Sequence, residues 1–149
     1  PAAAVDPAVR RRAAAHPVDH LLDRPRPAEV DLDQRRAQHL VPVDDPAGVP
    51  FGAYETGPSA GPAFHRGTFE VATPADTFLA LPGWTKGQAW VNGFHLGRYW
   101  NRGPQHTLYV PAPVLRPGSN DLVVLEMHAT TATRAQLTDS ADLGPENTW

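Results

Sequence analysis

The stretch GQAWVNGFHLGRYWNRG, residues 87–103, concentrates the side chains best suited to binding chemistry. Trp84, Trp90, Tyr99 and Trp100 offer aromatic faces that can stack on the C–H face of a sugar, and Asn92, His95 and Arg98 offer groups that hydrogen-bond hydroxyls. Two-residue periodicity gives a second reading. On the return strand Phe94, Leu96, Arg98 and Trp100 are expected on one face, with His95, Gly97 and Tyr99 on the other, while Trp90 and Asn92 point together. An apolar face with one polar member is the pattern of a packed core, and packing outweighs sugar binding for most of these residues. Trp84 is the exception, because the Gly-bounded loop GWTKG can hold it at the surface. Trp84, Trp90, Asn92 and His95 are therefore the candidate carbohydrate-binding residues. Arg98, Tyr99, Trp100 and Arg102 are candidates for the core or a domain interface, and Lys86 and Gln88 read as a solvated rim.

Elsewhere the chemistry thins out. His16 and His20 have the four-residue spacing of two ligands on a helix, but no third ligand is near, so no metal site is expected. No phosphate-binding glycine loop, nucleophile elbow or zinc pattern occurs, and no cofactor is implied. A formal charge of −3 and a pI near 6.2 give no electrostatic case for nucleic acid or an anionic membrane. No apolar run approaches the roughly 18 residues of a membrane span. No secretory h-region is visible at the start, which leaves the cytoplasm as the default, and the missing initiator Met suggests a processed or incomplete piece. With no cysteine, disulfides and thiol chemistry are out.

The elements that must position these residues occupy only part of the chain. Residues 1–58 are Ala-, Arg- and Pro-rich without a sustained period. AVRRRAAAH and DLDQRRAQHL suit short helices, but prolines interrupt anything longer. This segment is expected to be largely disordered, or an out-of-frame reading of GC-rich DNA. Residues 59–144 change to a β texture, with GPAFHRGTFEV, DTFLALP, GQAWVN, FHLGRYW and HTLYVP as strands. Asn92-Gly93 is a hairpin turn signal. DLVVLEMH, apolar on both faces, reads as a central strand and RAQLTD as an edge strand; residues 145–149 are a tail. About six strands with no convincing helix predict an all-β sandwich or jelly roll.

The string GW-x-KG-x-x-W-x-NG-x-x-LGRYW, followed by GPQ-x-TL-x-VP, fixes many side chains at set offsets. From about Pro62 to Gly144, including the closing TDSADLG, the chain resembles the C-terminal jelly-roll region of family 35 glycoside hydrolases, the β-galactosidases. Two positions depart from the family's usual residues: His65 stands for Tyr and His95 for Asn. The resemblance implies a galactose-binding-like β-sandwich, incomplete here, that packs in the parent enzyme against a catalytic (β/α)8 barrel in the same or another chain.

Retaining glycosidases need two carboxylates about 5–5.5 Å apart. The family's glutamates lie on the barrel, and no position here matches them. Glu70 and Glu126 are the glutamates of the β region. Both are expected at outward or edge positions, with Arg98 as the partner if Glu126 is buried. No catalytic residue is expected, and the chain alone should be silent. The resemblance therefore implies an accessory domain of an enzyme that hydrolyses terminal β-galactosides. A stand-alone galactose-binding module and a non-functional gene fragment are the competing readings. With an open sheet edge and no disulfide, the isolated chain is expected to be poorly soluble or oligomeric.

Overall fold

A computed structural model describes residues 28–35, 46, 49 and 60–144. The expected all-β sandwich is present. Its strands are β1 (Ala28–Asp31), β2 (Asp33–Arg35), β3 (Ala63–Val71), β4 (Thr77–Ala80), β5 (Lys86–Val91), β6 (Phe94–Trp100), β7 (Thr107–Val110), β8 (Gly118–Glu126) and β9 (Arg134–Thr138). One antiparallel sheet runs β1-β9-β4-β7 and the other β2-β3-β8-β5-β6.

Alternation along each strand decides what lies between the sheets. Leu79, Leu108, Val110, Ala135 and Leu137 from the four-stranded sheet meet Phe69, Ala89, Val91, Leu122 and Val124 from the five-stranded one. β8 is buried on both faces, as its apolar run predicts, since Val123 also joins Phe64, Trp90 and Val49 in a second cluster on the outer side. A short 3-10 turn at Ala112–Val114 leads from β7 toward β8.

Residues 28–35 differ from the sequence expectation. The composition predicts an unstructured segment here, and DLDQRRAQHL suits a short helix; instead residues 28–35 add a strand to each sheet. Val30 and Leu32 are buried in the main core, and the outward Glu29 and Asp31 both pair with Arg134 of β9, at 3.0 and 3.1 Å. Two apolar residues in alternation are too short a signal to stand out against Ala, Arg and Pro. With β1 in place, β9 is not the expected edge but lies between β1 and β4. AVRRRAAAH, His16, His20 and the tail 145–149 lie outside the described residues.

Replacing Leu32 with Ala should lower unfolding stability by roughly 3 kcal/mol, since it empties a core position. Denaturant titration checks this, and an unchanged midpoint would mean that residues 28–35 contribute nothing to the sandwich.

Candidate functional site

The hairpin forms as its sequence predicts, with Asn92 in the left-handed region at φ 50°. Asn92 is occupied by structure. Its side-chain amide donates to Val114 O and Asn120 Oδ1, both at 2.8 Å, and its Oδ1 accepts from Asp121 N at 2.9 Å. It ties the hairpin to β8 and leaves little to offer a sugar.

The return strand departs from simple alternation. Trp90 pairs with His95 but Ala89 pairs with Gly97, so Leu96 is an extra residue in a β-bulge. Gly97 absorbs the bulge at φ 117°. Past the bulge the faces exchange. Leu96 packs against the main core, and Tyr99 points inward. Arg98 and Trp100 therefore face outward with His95 and Trp90, rather than with Phe94 and Leu96.

Neither tryptophan proposed for stacking is at the surface. Trp84 and Trp90 are each 1 % exposed. Trp84 Nε1–H donates to Arg134 O at 2.8 Å, and its ring meets the edge of His65 at 4.6 Å between centroids. Trp90 is stacked under His95 at 5.0 Å and packs with Phe64, so the exposed His95 is a lid over it. Trp100 is half-buried, with Lys86 Nζ, Arg98 and Arg102 at 5.2, 5.9 and 6.0 Å from its ring.

The densest polar arrangement lies inside the sandwich. Glu126 is fully buried, contrary to the expected outward or edge position, and Arg98 is not its partner. Its Oε1 accepts from Thr85 Oγ1 at 2.5 Å, His128 N at 2.9 Å and Lys86 N at 3.2 Å. Its Oε2 accepts from Thr85 N at 2.7 Å and Tyr99 OH at 3.3 Å. Burial pushes this carboxyl up, but the Thr85, His128 and Lys86 hydrogen bonds outweigh it and hold the group below the usual carboxylate range. Burial, then the Glu126 charge, pushes the Tyr99 phenol upward, so Tyr99 remains a donor. Gly87 makes the convergence possible: a Cβ there would lie 1.7 Å from Leu125 O and 2.7 Å from Tyr99 OH. Short parity along LVVLE puts Glu126 inward with Leu122 and Val124, a signal that was legible; its donors, mostly backbone, were not.

This carboxylate is not half of a catalytic pair with Glu70. Glu126 pairs with Ala63 at one end of β3, and Glu70 pairs with Ser119 toward the other. Seven residues of strand put them about 23 Å apart. Among the described residues no group of three or more His, Cys, Asp or Glu is placed to hold a metal, and no helix is long and apolar enough to cross a membrane.

Two concavities open on the outer faces. One of about 260 Å³ lies over the five-stranded sheet between Arg66, Asp121, Asn92 and Arg116, and the 2.6 Å Arg66–Asp121 ion pair spans it. The other, about 390 Å³, lies over the four-stranded sheet beside Asn101, His106, Gln136 and Asp142. The sequence reading singled out none of these four, because they come from three separate segments without a shared spacing.

Residues 62–120 match the family model described as the β-galactosidase galactose-binding domain. This part of the chain is similar to that domain. Human beta-galactosidase-1-like protein 2 is 48 % identical over 84 residues, which is 56 % of this chain and 13 % of that protein. Rice beta-galactosidase 8 is 48 % identical over 77 residues, 49 % of the chain and 11 % of the relative. Human beta-galactosidase is 52 % identical over 73 residues, covering 44 % and 11 %. The chain thus spans only about an eighth of the length of these relatives.

Two outcomes follow for this sandwich. Glu126→Gln keeps the shape but sets an NH2 against N–H and O–H donors, and should cost roughly 3 kcal/mol in denaturant unfolding. For His65, burial pushes the imidazole from its usual 6.5 down to about 4, opposed by the Glu126 charge. Folded His65 holds its proton more weakly than unfolded His65, so its contribution is complete above pH 6.5 and is lost as pH falls toward 4. The lowered Glu126 carboxyl acts in the same direction, at lower pH. Thermal melts should therefore show a loss on the order of 3 kcal/mol over that window, and His65→Phe should remove most of it. A wild-type melting curve indifferent to pH between 7 and 4 would contradict this.

Proposed function

We propose that the sandwich is an accessory domain of a β-galactosidase, docked on the catalytic barrel that hydrolyses terminal β-galactosides. The observation carrying this reading is the strong identity to relatives of which the matched segment is 11–13 % of the length. The chemistry inside the chain supports it, because Glu126 is spent on the fold and Glu70 lies far from it.

Trp100 marks the docking face. Lys86, Arg98 and Arg102 gather round one half-buried ring, and among the described residues no carboxylate forms an ion pair with any of them. Cations held this close repel one another until an anion joins them. Each also gains from the ring face, which keeps the cluster in place. An acidic patch on the barrel is the partner this face suits.

The test is a chimera in which this sandwich replaces the matching segment of human β-galactosidase. The chimera should hydrolyse a nitrophenyl β-galactoside, and Trp100→Ala combined with Arg98→Glu should lower that activity at least about tenfold, by loosening the domain. The isolated chain should release no nitrophenol. Activity in the isolated chain, or a chimera indifferent to the double substitution, would refute the reading. A galactose-binding module is the second reading, and the pocket over β4, β7 and β9 is what favours it.

A further inference from the structure

We infer that residues 28–35 form an acid-opened clasp: protonation of His65, the imidazole sealed beneath them, detaches β1 and β2 from the sandwich while β3 to β9 stay folded. The clasp is independent of any docking on a barrel.

His65 is 2 % exposed, points inward from β3 and meets the Trp84 ring edge-on. Among the described residues neither its Nδ1 nor its Nε2 has a hydrogen-bond partner. The neutral ring leaves one donor and one acceptor unused, whereas an imidazolium would bring a charge and two unmatched donors. The charged group facing it is Glu126 of β8. That carboxylate is already filled by five donors, the Tyr99 hydroxyl of β6 among them, and has no site left for an imidazole N–H. Other charges nearby are turned away. Lys86 Nζ of β5 lies over Trp100, and Glu29 and Asp31 of β1 pair with Arg134 of β9 on the outer face. His65 therefore takes up a proton in water rather than in place, in keeping with burial as the main cause that pushes it down to about 4.

Residues 28–35 are the cover. Gly67 follows His65 by two residues and shares its inward face, and a Cβ there would run into Asp31 O and lie 2.9 Å from Leu32 Cδ2. The clasp thus crosses directly over the inner side of β3 beside the imidazole, and Gln34 pairs with His65 in the strand register. Its fastenings are few. Val30 and Leu32 are buried, Leu32 N donates to Thr133 O at 2.6 Å, and the ion pairs to Arg134 lie at the surface, where such pairs contribute little. β1 and β2 are the outermost strands of their sheets, so both can leave without breaking a pairing among the other seven. β3 is paired along its whole length with β8 and stays. Lifting the clasp is therefore the least disruptive way to hydrate His65, and it bares the edges of β9 and β3 for pairing with another strand.

Hydrogen exchange of the full chain, followed by NMR and corrected for the intrinsic pH dependence of the rates, tests the clasp at the Leu32 amide. An imidazole that titrates at 6.5 in water and at about 4 when sealed raises the opening constant about fiftyfold from pH 7 to pH 4.5. Leu32 protection should fall by that factor and lie below that of the β3–β8 centre at both pH values. His65→Phe should abolish the fall. Gly67→Ala, whose new methyl meets only the clasp, should leave Leu32 unprotected already at pH 7 with β3 and β8 still protected. Leu32 exchanging with the same free energy as the β3–β8 centre would mean that the sandwich opens only as a whole, and would overturn the inference. So would Leu32 protection indifferent to pH, a fall that persists in His65→Phe, or loss of β3–β8 protection in Gly67→Ala.

Discussion

An ionised carboxylate with no cation paired to it among the described residues, that of Glu126, is the interaction around which this sandwich closes. Five donors converge on it from four parts of the chain: the start of β5, the residue before it, β6, and the segment after β8. A charge taken out of water without partners is expensive, and hydrogen bonds are what recover the cost. Here they come largely from backbone N–H groups, which hold fixed positions and do not wander. The same bonds therefore fix where β5 begins, how deeply Tyr99 inserts, and how the chain leaves β8 toward β9. Gly87 is bare because Leu125 O and the Tyr99 hydroxyl need its space.

That closure divides the hairpin's residues between two jobs. The bulge at Leu96 sends Leu96 and Tyr99 into the core and turns Arg98 and Trp100 outward beside Lys86. A regular strand would have kept Arg98 and Trp100 on the side of Leu96. The outer face of the five-stranded sheet consequently carries a cationic, aromatic surface suited to a protein partner. The opposite outer face, across two sheets, carries a pocket rimmed by amides and a carboxylate, with no Lys or Arg in its lining. The proposed docking surface and this pocket thus lie on separate sides of one scaffold.

Much of the fold was legible. Period-two alternation gave β3, β4, β5, β7 and β8, and Asn92-Gly93 gave the turn. The family resemblance rested on side chains that turn out to be largely structural, Trp84, Trp90, Asn92 and Tyr99 among them. What escaped has physical reasons. A bulge adds one residue with only a glycine to signal it. Trp84 stands in a Gly-bounded loop, and its partner, Arg134 O, is fifty residues away in sequence, so no local pattern signals its burial. β1 shows just two apolar residues in alternation and becomes a strand through pairing with β9. The pocket joins residues from three segments, so no local pattern could announce it.

Native-state hydrogen exchange tests the central claim most directly. If the Glu126 carboxylate closes the sandwich, the amides of Thr85, Lys86 and His128 exchange only through global unfolding, with the same free energy as the β3–β8 centre. Exchange of these three amides at the rate of the exposed turns, while β3 and β8 stay protected, would show that the carboxylate decorates a core that stands without it.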